Sequence, residues 1–140
     1  MSFKEYLKEK LLLENTKIKK VPDNSESFEG KTDPTQYDND NKVILVKQSY
    51  DTKKDIEGWM VHEQKHADLD KKGFKDDGKE YPYNNTEMEA YIAQFKALKK
   101  RGIKDFEELK DNKKFPTLSI KITKNNGSNE KILMKYWKNA

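Results

Sequence analysis

The hydrophobic positions of the chain fall into runs with two different spacings. Apolar residues recur at helical intervals over residues 2–14, 52–72 and 86–100, and glycines follow the last two segments. Residues 42–50 form a short β-branched run, and residues 15–21 separate apolar side chains by polar ones, so both are predicted strands. The pattern therefore predicts an α+β fold, with a small sheet packed against helices.

Polar, turn-forming sequence separates these segments. Residues 23–41 are rich in Ser, Asp, Asn, Gly and Pro and are predicted to form one long loop, and residues 74–85 carry turn sequences. Asp51 or Thr52 is the predicted N-cap of the first of the two later helices, and Thr86 that of the second. The remaining predicted segments are a short helix over 104–111, a strand over 117–123, a turn at 125–127 and a strand or helix over 130–138.

Composition fits a single domain over residues 1–140. The chain is 33% hydrophobic and 39% charged, so its core must be modest, although a domain of this size buries about two-thirds of its unfolded surface. Seven Tyr, six Phe and two Trp add large apolar areas. We therefore expect Trp59 and Trp137 to lie in the core rather than in a binding site.

Charge and hydropathy narrow the functional classes. The net charge of +4 comes without interleaved basic and aromatic residues or a known nucleic-acid-binding motif, so we do not expect a nucleic-acid partner. The apolar run at residues 11–13 is too short for a signal-peptide core, and no run approaches the roughly 20 apolar residues of a membrane span. We expect a cytoplasmic protein without a membrane partner, and no feature of the sequence specifies an oligomeric state.

The two histidines of the chain lie four residues apart, in the motif His62-Glu63-Gln64-Lys65-His66. Residues i and i+4 share one face of a helix, so both imidazoles can reach a single Zn²⁺ ion. Glu63 is displaced around the helix, where its carboxylate can accept a proton from a zinc-bound water. Because the chain has no cysteine and no third histidine, a third protein ligand must be a carboxylate.

The following helix offers two glutamates for that role. Its apolar stripe consists of Met88, Tyr91, Ile92, Phe95 and Leu98. At about 100° per residue, Glu87 lies at the edge of the stripe, whereas Glu89 lies on the opposite, lysine-bearing side. We therefore predict Glu87 as the ligand and Glu89 as a surface residue. Asp70, four residues after His66, fits either a solvated helix end or a group that orients or completes the site.

A hydrolytic site also needs a donor for a developing oxyanion and a means of holding its substrate. Tyr81, Tyr83 and Tyr91 are candidate donors, although each also suits ordinary packing with its hydroxyl in water. Residues 42–50 are the candidate edge strand, which would hold an extended substrate by strand addition.

The HExxH motif and the later Glu-x-Glu-Ala-Tyr, within about residues 56–98, resemble the gluzincin group of zinc metallopeptidases. The chain is most similar there to small cytoplasmic or phage-encoded ImmA/IrrE-type peptidases, which carry Glu-x-x-Ala on the second helix. The resemblance implies zinc held by His62, His66 and Glu87, with Glu63 as general base in hydrolysis of a peptide or protein substrate. The alternatives are a non-catalytic protein braced by zinc, or an interaction or regulatory protein of a phage or mobile element.

Overall fold

The structure, a computed structural model, describes residues 16–29, 33–50 and 55–140. Within these ranges it has three strands and four α-helices, which confirms the predicted α+β class. The strands are β1 (Lys17–Val21), β2 (Thr35–Asp38) and β3 (Val43–Lys47). The helices are α1 (Ile56–Lys71), α2 (Asn85–Lys100), α3 (Leu118–Gly127) and α4 (Glu130–Asn139). The predicted helix over residues 2–14 and the caps Asp51 and Thr52 lie outside the described residues.

Strand β3 is the centre of the sheet, whose order is β1-β3-β2. It pairs with β1 in parallel and with β2 in antiparallel orientation. Its side chains Ile44 and Val46 are buried with Met60 of α1, which explains its apolar sequence. The prediction that residues 42–50 form a substrate-binding edge is therefore wrong, because both edges of β3 are already paired.

Strand β2 contradicts the prediction of one continuous loop over residues 23–41. Its four residues are bounded by turn sequence: Pro34 precedes it, and the carboxylate of Asp38 accepts the backbone N–H groups of Asp40 and Asn41 after it. This turn returns the chain directly into β3. Among the described strands, β2 is an edge strand, and it lies against α1.

Helices α1 and α2 pack against each other, and both end as the sequence predicts. Gly73 follows α1 with φ of 74°, and Gly102 follows α2 with φ of 102°, a conformation that glycine adopts without strain. The N-cap of α2 is Asn84 rather than Thr86: its side-chain oxygen accepts the backbone N–H of Glu87 at 2.8 Å. Thr86 instead lies inside the first turn. The cap therefore fixes the backbone at Glu87.

The main core lies between α2 and the C-terminal helices, with one contribution from α1. Trp59 and Trp137 are both in it, as predicted. The other buried members are Tyr91, Phe95, Leu98, Phe106, Leu109, Phe115, Leu118, Ile122, Leu133 and Tyr136. Phe106 and Leu109 belong to a 3-10 helix, Phe106–Lys110, close to the predicted short helix. In the described part of the chain, no helix has the length and apolar content that crossing a membrane requires.

The predicted strand over residues 117–123 is wrong, because these residues begin helix α3. Leu118 and Ile122, one helical turn apart, are fully buried. The buried carboxylate of Asp55 accepts the backbone N–H groups of Thr117 and Leu118 at 3.0 and 3.3 Å. Asp55 thus provides a hydrogen-bond acceptor for N–H groups at the start of a helix that lies far along the chain. The predicted turn at 125–127 is the end of this helix. Residues 130–138, predicted as strand or helix, are helical and belong to α4.

We expect the Asp55→Ala substitution to destabilise the protein by about 1–3 kcal/mol, because two buried N–H groups lose their acceptor. The free energy of unfolding, measured by urea denaturation, checks this. Asp40→Ala, in an exposed turn, is the control and should change it by less than about 0.5 kcal/mol. Equal effects of the two substitutions would contradict the capping role.

Candidate metal centre

Helices α1 and α2 bring the predicted ligands His62, His66 and Glu87 together. Nε2 of His62 lies 3.0 Å from Oε1 of Glu87, and Nε2 of His66 lies 2.7 Å from Oε2 of the same carboxylate. One donor atom from each residue lies within 4.8 Å of the other two. These three residues therefore form a group that can hold a metal ion.

The side chain of His62 is held tightly. It is only 4% exposed, whereas the side chains of His66 and Glu87 are 17% and 15% exposed. The ring of Tyr91 packs edge-on against the His62 ring with centroids 4.5 Å apart, and Trp59 packs at 5.2 Å. Nδ1 of His62 lies 2.9 Å from the amide oxygen of Gln94 on α2, and Gln94 is itself buried. Of the two histidines, His62 is thus buried and His66 is more exposed.

The charges of the group are coupled. Burial opposes the charged form of His62 and would lower its pKa, but Glu87, with smaller contributions from Glu63 and Gln94, raises the pKa above its usual value. Burial likewise opposes ionisation of Glu87, yet the two imidazoles hold the pKa of its carboxyl well below its usual range. The centre therefore keeps an ionised carboxylate facing two imidazole nitrogens.

The donor set fits a zinc-type ion. The imidazoles contact the carboxylate directly at 2.7 and 3.0 Å, and ligand atoms at about 2.0–2.1 Å from a tetrahedral zinc are about 3.3 Å apart, so the ion would fit after a small outward movement of these side chains. Imidazole nitrogen with one carboxylate also suits zinc better than a hard ion such as Ca²⁺, which takes six to eight oxygen ligands.

Glu63 lies beside this group and is not part of it. Its side chain is buried, and its Oε2 accepts a hydrogen bond of 2.8 Å from the hydroxyl of Thr35 on β2. Glu63, His62, His66 and Glu87 all line a single cleft of about 580 Å³. The residue predicted as general base therefore faces the same space as the predicted ligands.

The cleft runs between α1, β2 and the segment that precedes α2. Gln36 and Tyr37 of β2 form one side, and Phe74, Asp76 and Tyr81 form the other. Of the predicted oxyanion donors, Tyr81 lines the cleft, and its hydroxyl contacts that of Tyr91. Burial raises the pKa of the Tyr91 hydroxyl well above its usual value. Tyr83 is 47% exposed and does not line the cleft.

Asp70 is neither part of the three-residue donor group nor a hydrogen-bond partner of a histidine. Its Oδ2 accepts the Tyr37 hydroxyl at 2.8 Å and forms an ion pair with Lys42 at 2.6 Å. These contacts tie the end of α1 to β2 and to the turn before β3. Glu89 is outside the three-residue group and is partly exposed.

Sequence reasoning missed three residues that shape the centre. Gln94 contacts His62, Thr35 contacts Glu63, and Asn84 caps the turn that holds Glu87. Gln94 had a usable signal, since it lies seven residues after Glu87 and therefore on the same face of α2. Thr35 had none, because it was placed in a predicted loop.

The fold and the site together define a small α+β protein with a partly buried His-His-Glu group that can hold a metal ion. Comparisons with models of known protein families, with curated proteins and with solved structures gave no match.

Proposed function

We propose that the protein is a zinc-dependent metallopeptidase. In this proposal His62, His66 and Glu87 hold the zinc ion, and Glu63 is the general base. The observation that carries it is the convergence of the three donors in a cleft that Glu63 also lines. A metal-binding group with an adjacent, non-ligating carboxylate is the arrangement that metal-assisted hydrolysis requires.

A zinc ion at this centre would polarise the substrate carbonyl and lower the pKa of a water towards about 7. Glu63 accepts the proton of the attacking water and passes it to the amine that leaves. Thr35 donates to Oε2 of Glu63, which leaves Oε1 for this proton transfer. The hydroxyl of Tyr81 is the candidate donor to the developing oxyanion.

Strand β2 replaces β3 as the proposed substrate edge. Within the described residues β2 pairs only with β3, so the backbone groups of its other edge face away from the sheet. Gln36 and Tyr37 of this strand line the cleft beside the metal centre. An extended peptide added along β2 would pass the three ligands and Glu63.

The number of ligands favours a catalytic over a bracing role for zinc. Structural zinc sites usually have four protein ligands, whereas catalytic sites keep one position open. In the described part of the chain the donor group has three members. Asp70, the predicted source of a fourth, is instead engaged by Tyr37 and Lys42.

Metal content and metal-dependent hydrolysis test the proposal together. We expect about one zinc per chain by elemental analysis, and cleavage of a mixture of unstructured peptides followed by mass spectrometry. A chelator should stop cleavage, and added zinc should restore it. Glu87→Ala, purified in parallel, controls for co-purifying peptidases, since it loses a ligand. Absence of stoichiometric zinc, or cleavage that the chelator leaves unchanged, would overturn the proposal.

A further inference from the structure

Gln94 is a buried amide whose acceptor oxygen faces the metal centre. Only 1% of its surface is exposed, and its Oε1 lies 2.9 Å from Nδ1 of His62. A buried polar side chain in a core otherwise built from aromatic and aliphatic residues is costly unless it is hydrogen-bonded. The steps proposed for peptide hydrolysis leave Gln94 without a role.

The contact places a proton on Nδ1 of His62. An amide oxygen can only accept, so Nδ1 of His62 must donate to it. In the structure Nε2 donates to the ionised carboxylate of Glu87. A metal would replace that proton, so Nε2 is the nitrogen that would bind it. The bond to Gln94 thereby selects the ring orientation and the tautomer that the three-donor group needs.

Three residues on one face of α2 contact His62 together. Glu87, Tyr91 and Gln94 lie at positions i, i+4 and i+7, along one face of the helix. Glu87 supplies a metal ligand, Tyr91 packs edge-on against the His62 ring, and Gln94 accepts from its Nδ1. The same helix face therefore provides one ligand and positions another.

The small residue opposite Gln94 agrees with this arrangement. A Cβ atom placed on Gly58 of α1 would lie 3.5 Å from both Cγ and Nε2 of Gln94. The glutamine side chain thus crosses α1 at its glycine, one helical turn before His62. Even an added Cβ would be in ordinary van der Waals contact with the glutamine side chain, so the glutamine packs directly on α1 at this point.

We propose that Gln94 is the positioning residue that holds His62 in its metal-binding tautomer and orientation. The proposal rests on the metal centre of the proposed function, and it concerns metal affinity rather than hydrolysis. Outer partners of ligating histidines typically contribute 10–100-fold to metal affinity. The bond from Nδ1 of His62 to Gln94 belongs to this class.

Zinc affinity, measured by competition with a chromophoric chelator, is the main test. We expect Gln94→Leu, which keeps the volume but removes the acceptor, to weaken zinc binding by about 10–100-fold. Gln94→Glu restores an acceptor oxygen and should bind within about threefold of wild type or more tightly, because a carboxylate increases ligand basicity. Glu89→Gln, on the same helix but outside the donor group, should leave affinity unchanged.

A spectroscopic readout separates positioning from loss of structure. In zinc-loaded wild type, the Nδ1 proton of His62 should be observable by ¹H–¹⁵N NMR and protected from solvent exchange. In Gln94→Leu that signal should shift and exchange faster, while the far-UV circular dichroism stays as in wild type. Unchanged zinc affinity and an unchanged Nδ1 signal in a folded Gln94→Leu variant would overturn the inference.

The outcomes also distinguish this inference from the proposed function. If the wild type binds zinc but cleaves no peptide, the proposed peptidase function is rejected. The role of Gln94 is then still tested by the zinc affinities of the variants. If Gln94→Leu changes neither the rate of peptide cleavage nor the zinc affinity, the proposed peptidase function stands and the positioning role of Gln94 is rejected. Equal weakening in Gln94→Leu and Gln94→Glu would show that the side chain acts through packing, and this too would overturn the inference.

Discussion

Glu63→Gln is expected to reduce the rate of peptide cleavage by about 10²–10⁴-fold, with zinc content unchanged. The amide has the same shape as the carboxylate, and its oxygen can still accept the Thr35 hydroxyl bond that is 2.8 Å in the wild type. It cannot take a proton from water, so only the chemical step is lost. The measurement is kcat on the best-cleaved peptide, together with zinc per chain.

Glu89→Gln makes the same change of charge on α2, outside the donor group, and should cleave at the wild-type rate. Glu63→Gln with full activity would remove Glu63 from the mechanism. If Glu63→Gln also loses its zinc, the Glu63 carboxylate helps to hold the metal. The assignment of Glu63 as a general base that does not bind the metal would then be wrong.

His66→Ala is expected to weaken zinc binding by more than about 100-fold, since a lost ligand should cost at least as much as the loss of an outer partner. Zinc should also stop stabilising the variant. At a free concentration 100 times Kd, zinc should stabilise the wild type by about 2.7 kcal/mol. For a domain of this size that corresponds to a rise in Tm of roughly 10 °C. Isothermal titration and thermal unfolding with and without zinc check the two effects.

Lys65→Ala is the matched control, because it changes the neighbouring position of the same helix without touching the donor group. It should retain both zinc affinity and the zinc-dependent rise in Tm. A His66→Ala protein that binds one zinc with wild-type affinity would show that the zinc site lies elsewhere in the chain.

The parts of the site that follow from short-range spacing were predictable. The four-residue interval places His62 and His66 on one face of α1, and helical angle alone separated Glu87 from Glu89. The structure places His62, His66 and Glu87 within reach of one ion, as that reasoning requires. These relations hold inside single helices, where periodicity fixes direction.

The parts that depend on distant partners were not predictable. Residues 117–123 alternate like a strand, but they are helical, and Asp55, 62 positions earlier, accepts the N–H at the start of that helix. Strand β2 has four residues in turn-rich sequence, and pairing with β3 rather than its own pattern defines it. The bond between His62 and Gln94 spans 32 positions. Tertiary context overrides local propensity in each case.

Glu87 and His62 belong to different helices and are 25 positions apart along the chain. An ion shared between them would act as a reversible crosslink that closes the loop between α1 and α2. Because the ion binds only the closed arrangement, its binding free energy offsets the entropy cost of closing this loop. Removing the ion should therefore increase local opening of the α1–α2 connection first, before global unfolding. Amide hydrogen exchange in residues 74–84 would report the occupancy of the centre from a distance.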